Sequence, residues 1–190
     1  MIKLLITENS RQQQPSAGPK AWIGCLAAYN SGRLHGAWVD LDCEITFEDE
    51  LREIVRTSPA EDSEELWVMD HEGIPLSGEC SPSEALRLGL LVEEVCNDRG
   101  LSIEVLSYVL DCIGGEPAAS DVGDYIEDNF YGQWESEEEF VIQYHEDCGT
   151  IPEGEFAPYI DWGRMARDWF INDFYSVDLG RGEIAVFRRC

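Results

Sequence analysis

Positive charge is what this chain has least of. Its 190 residues include two lysines, Lys3 and Lys20, and 13 Lys plus Arg in all, against 39 Asp plus Glu, for a formal net charge of −26. A surface of that sign repels polyanions, so neither nucleic acid nor a membrane surface is expected as a partner. No apolar run approaches the ~20 residues that cross a bilayer. The opening "MIKLLITENS" reaches Glu8 too early for a secretory core, so a soluble, cytoplasmic protein is expected. The seven cysteines (25, 43, 80, 96, 112, 148, 190) are odd in number and contain no C-x-x-C pair, which favours reduced thiols, most of them small core residues.

Catalytic patterns are equally sparse. His35, His71 and His145 are scattered, with no H-E-x-x-H and no Cys/His zinc spacing. There is no P-loop, no G-x-G-x-x-G after a strand and no G-x-S-x-G elbow. "HEDC" at 145–148 points in different directions on a helix and makes a poor ligand set. A calcium loop starting at Glu127, "EDNFYGQWESEE", has Asn129, Gly132 and Glu138 in place but Glu and Tyr131 where shorter oxygen donors belong. The expectation is a protein that is not an enzyme and uses no cofactor or metal.

What is present is ample apolar material, 44% hydrophobic with 11% aromatic, enough for one fair-sized core or a few small ones. Residues 1–20, with "NSRQQQPSAGPK", read as a flexible extension. "AWIGCLAA" and "GAWVDL" predict two strands joined by a turn in which Asn30 and Gly32 take positive φ. "TFEDELREIVRT" predicts an amphipathic helix with Phe47, Leu51, Ile54 and Val55 on one face, and "ELWVMD" a third strand. Ser81, Pro82 and Glu84 form a helix start before Ala85, Leu88, Leu91, Val92 and Val95, with Gly100 as the stop. "LSIEVLSYVLDCIGG" predicts a second helix closed by Gly114 and Gly115.

Further on, "SDVGDYIEDNFYG" and "SEEEFVIQYHEDCG" read as two helices, the second capped by Ser136 with Phe140, Val141, Tyr144 and Cys148 buried. Asp161 should cap "WGRMARDWF", and "DFYSVDL" and "EIAVFRR" should pair around a "GRG" turn. The fold class expected is α+β: an elongated chain of three small domains. These are an N-terminal three-stranded sheet with helix (21–80), a central helical domain (81–118), and C-terminal helices plus β-strands (119–190).

The sign of the charge is segregated. Residues 1–40 hold four basic and two acidic side chains and 164–190 hold five and four, whereas the 64 residues between Arg99 and Arg164 hold 16 Asp or Glu and no Lys or Arg. Like charges at helical spacing destabilise the fold, so this crowding needs a functional reason. A duplex carries about one charge per 1.7 Å of axis, so 26 charges stand for roughly 13 base pairs, and a dimer for about 26. The carboxylates expected to stand in for phosphates are Asp121, Asp124, Glu127, Asp128, Glu135, Glu137, Glu138, Glu139, Glu146, Asp147, Glu153 and Glu155. They are aided by Glu48, Asp49, Glu53, Glu93, Glu94 and Asp98. The alternative is an acidic chaperone or sequestering partner of basic nucleic-acid-binding proteins.

"WIGCLAAYNSGRLHGAWVDL", "LWVMDHEGIP", "YIEDNFYGQWESEEEFVIQYHEDCG" and "YIDWGRMARD" followed by "VFRR" resemble, in order, the ArdA antirestriction family over about residues 20–189. The resemblance implies a protein carried by plasmids and other mobile genetic elements. Such a protein imitates bent duplex DNA and fills the DNA channel of the methyltransferase/specificity core of type I restriction-modification enzymes. It also implies a cofactor-free homodimer joined through the C-terminal domain, with "DFYSVDL" and "EIAVFRR", apolar and near neutral, as the candidate contact.

Overall fold

Alternation in "KAWIGC" puts Ala21, Ile23 and Cys25 on one face of strand β1, and all three are fully buried. The computed structural model describes residues 18–61, 63–76 and 78–189; the expected extension falls almost wholly outside them. β1 (Lys20–Cys25) is the middle of a three-stranded antiparallel sheet, between β2 (Gly36–Asp40) and β3 (Leu66–Glu72). The strand expected over "AWIGCLAA" stops at Cys25, and Leu26–Asn30 forms a short helix, α1. Ala27 and Ala28 favour that turn, and the Ser31 hydroxyl and Arg33 N–H bond back to their carbonyls. Gly32 takes positive φ as expected (77°), but Asn30 stays helical.

Helix α2 (Glu44–Thr57) buries Phe47 and Ile54. The Ser81 hydroxyl accepts from Glu84 N–H at 3.2 Å at the start of α3 (Pro82–Leu91), while the Glu84 carboxylate turns to Arg87. Gly89 is required on α3, because a Cβ there would collide with the Cβ and carbonyl of Leu41, so glycine lets helix and sheet close up. Beyond Leu91 the helix widens into a π turn over Val92–Asn97, then stops at Gly100, φ 64°. Helix α4 (Ile103–Ile113) is capped by Ser102 and closed by Gly114.

Helix α5 runs over Ala119–Asn129, and a second three-stranded sheet follows. "FYG", expected as the end of a helix, instead opens strand β4 (Phe130–Trp134): three aromatics in five residues favour a sheet, and Gly132 (φ 103°) accommodates a bulge. The calcium-loop frame is thereby a helix end, a strand and a helix start. Helix α6 (Glu137–Asp147) is capped by Ser136, a 3₁₀ turn covers Ala157–Tyr159, and Asp161 caps α7 (Trp162–Asn172). Strands β5 (Phe174–Asp178) and β6 (Ile184–Arg188) pair as expected, with strand order β4-β6-β5.

Apolar packing follows chain order. One core runs from Ile23 and Val68 in the first sheet through Leu88, Val95 and Leu106 to Ala185 and Phe187 of β6. A second, on the other face of β6, gathers Phe140, Val141, Ala166, Phe170, Phe174 and Val186. The expected helix stripe is correct for Phe140 and Val141, but Cys148 is exposed. It lies beyond the last turn of α6, where the stripe has already left the core. Of the described cysteines, Cys25, Cys80 and Cys96 are buried.

Candidate functional site

Helix periodicity decides where the carboxylates go. On α5, Val122, Gly123 and Ile126 face inward, so Asp121, Asp124, Glu127 and Asp128 are left outside. On α6, burial of Phe140 and Val141 leaves Glu138, Glu139, Glu146 and Asp147 exposed, with Glu137 half-buried. Of the eighteen expected residues, sixteen are exposed and two, Glu93 and Glu137, are half-buried.

Local partners sort these groups. Arg52 pairs with Glu48 at 2.6 Å and Asp49 at 2.5 Å, and Arg56 with Glu53 at 2.6 Å, so these three α2 carboxylates share two arginines in place. The Arg56 guanidinium holds the Glu53 carboxyl below its ordinary range. Glu50, outside the expected set, is pushed up by partial desolvation first, with repulsion from Asp40 and Asp42 adding. Only one described ion pair reaches the stretch 121–155, Arg99 to Glu127 at 3.2 Å.

The fold itself uses several of the rest. Asp121 accepts from the Ala118 N–H at 3.0 Å, and Glu139 from the Glu135 N–H at 2.7 Å, each closing a helix start. Glu93 accepts from Asn97, Asp147 from Gln143, and Glu137 from the Ser176 hydroxyl at 2.8 Å. The side-chain carboxylates of Glu94, Asp98, Asp124, Asp128, Glu135, Glu138, Glu146, Glu153 and Glu155 have no ion-pair or hydrogen-bond partner among the described residues. Seven of these nine fall between Asp124 and Glu155. Nothing in the sequence announces the Glu137–Ser176 contact, which spans 39 residues.

Among the described residues no group of three or more His, Cys, Asp or Glu is arranged to hold a metal, and no helix is long and apolar enough to cross a membrane. His145 packs beside Trp162 and Trp169, with ring centroids at 5.6 and 5.1 Å, and His35 bonds the Ile54 carbonyl at 2.9 Å.

The scaffold is α+β, and sixteen of the eighteen expected carboxylates lie exposed on it. The sequence profile of the antirestriction protein family ArdA matches residues 21–181, and the chain belongs to that family. Membership assigns it antirestriction activity and an interaction with restriction enzymes. A search among curated protein sequences returns no match.

Proposed function

We propose that the chain protects DNA by imitating it: the exposed carboxylates of α5, α6 and the following loop occupy phosphate positions in the DNA channel of a type I restriction-modification enzyme. The target is its methyltransferase/specificity core, and no cofactor takes part. The observation that carries this reading is the set of carboxylates from Asp124 to Glu155, all exposed but the half-buried Glu137 and with one ion pair among the described residues. Fixed anions on a folded backbone compete for the same Lys and Arg that phosphates engage. The α2 carboxylates contribute less, because Arg52 and Arg56 already hold them.

A homodimer through the C-terminal part belongs to the same proposal, and two copies at −26 must meet where charge is sparse. Strand β6 fits that contact poorly, because it lies between β4 and β5 with Ala185, Val186 and Phe187 fully buried. Residues 156–171 fit better. Phe156, Tyr159 and Ile171 are 73%, 83% and 68% exposed there, and Asp161, Arg164, Arg167 and Asp168 cancel. The experiment is DNA cleavage by a purified type I enzyme with the protein and a duplex titrated against each other. Loss of inhibition as duplex rises supports the mimic; inhibition indifferent to duplex argues for a generally sequestering acidic protein.

A further inference from the structure

Strand β5 is an edge of the second sheet. Two backbone bonds set the alternation along it, Arg189 N–H to the Asp173 carbonyl and Leu179 N–H to the Glu183 carbonyl, both between residues directly opposite in the register. Odd-numbered residues therefore bond to β6, and the N–H and C=O groups of Phe174, Ser176 and Asp178 point away from the sheet. This open edge borders a groove of about 630 Å³ whose far wall is α4 and the segment after β3. Pro75 and Leu76 supply apolar surface, and Tyr108 stacks on Tyr175 with centroids 4.8 Å apart. Glu104, Asp111 and Asp178 also line it, each exposed, and among the described residues no Lys or Arg does. At the Tyr175 end, Arg189 lies 5.8 Å over the ring.

An unpaired strand edge beside an apolar groove is built to receive another strand. A second copy of this chain would bring 26 further negative charges to a groove already carrying three carboxylates. We propose that the groove binds an extended segment of another protein, one that alternates apolar residues with Lys or Arg, as a fourth strand hydrogen-bonded to Ser176 and Asp178. Its apolar side chains pack on Leu76 and Tyr108, on the face that Tyr175 shares, while its cations project from the opposite face beside Asp178 and Glu137. This is protein recognition through backbone and shape, separate from phosphate imitation by α5 and α6.

The probes are the capped peptides Lys-Val-Lys-Val-Lys and Glu-Val-Glu-Val-Glu, followed by amide hydrogen exchange and titration calorimetry on the full chain. The cationic peptide is expected to slow exchange at Ser176 and Asp178 while the acidic one does not. Ser176→Ala, which keeps the outward N–H but loses the hydroxyl, should bind the cationic peptide with little change. Ser176→Pro, which beyond the hydroxyl that Ser176→Ala also lacks removes an N–H that β6 does not use, should bind up to about tenfold more weakly than Ser176→Ala, as expected for losing one hydrogen bond. If Ser176→Pro does not fold, the exchange pattern of the wild-type chain decides. Equal binding by the two variants, protection confined to α5 and α6, no peptide binding, or Ser176 and Asp178 already protected by self-association would each overturn the proposal. Because no restriction enzyme is present, failure here leaves the duplex-competition experiment untouched, and the reverse holds.

Discussion

The Ser176 hydroxyl donates to the Glu137 carboxylate at 2.8 Å, joining the first turn of α6 to the edge strand β5. Both residues are half-buried, so the bond is partly shielded from water. One of the carboxylates that look alike in "SEEEF" is therefore a structural brace, and its neighbour Glu138 is not.

Glu137→Gln and Ser176→Ala should each cost about 1 kcal/mol of stability, and the double variant should cost little more than either single one. Glu138→Gln should leave stability within about 0.5 kcal/mol. Urea unfolding of the four proteins checks this, and additive losses would mean the two residues act separately.

Neutralising Glu138, Glu146 and Asp128 singly should weaken binding to the restriction enzyme modestly, and together it should do so cumulatively, because each replaces one phosphate contact among many. The salt dependence should become shallower with each charge removed. Abolition of inhibition by Glu138→Gln alone would contradict a distributed surface.

The pH dependence has two opposing parts. The Arg87 guanidinium holds the Glu84 carboxyl below its ordinary range, so this pair's stabilisation is present above the unfolded value and is lost as pH falls through the lower folded one. Glu50 is shifted upward, so its relative contribution is fully present below the unfolded value and disappears as pH rises through the folded one. Glu50→Gln should accordingly raise the melting temperature near neutral pH and lose that advantage in acid, as melts between about pH 3 and 7 would register. Added salt should stabilise the wild-type chain by screening self-repulsion.

Thiol labelling should follow burial. Cys148 is exposed and should react in the native state, whereas Cys96, buried and with its thiol pushed up to about 11 by desolvation, should react only on unfolding. Cys25 and Cys80 are buried and should behave as Cys96 does. Mass-spectrometric mapping after brief alkylation separates these classes.

Much of the fold was legible because its signals are local. Ser81, Ser102, Ser136 and Asp161 each cap the helix that the pattern predicts, and Gly32, Gly100 and Gly114 take the positive φ that only glycine adopts cheaply. The failures are tertiary. "FYGQW" carries a weak period and becomes a strand because β6 lies beside it to pair with Phe130 and Trp134. Cys148 falls outside the core because α6 ends one residue before it. The acidic surface was legible as charge, but which carboxylates are free was not. Asp121, Glu137 and Glu139 take internal partners that composition cannot distinguish from solvent.

The most direct measurement is the affinity of the protein for a purified type I restriction enzyme across a salt series, with duplex DNA as competitor. Phosphate imitation predicts that duplex displaces the protein and that affinity falls by about a hundredfold or more between roughly 50 and 200 mM salt. An affinity indifferent to salt, or a complex in which the protein and the duplex are held together, would contradict it.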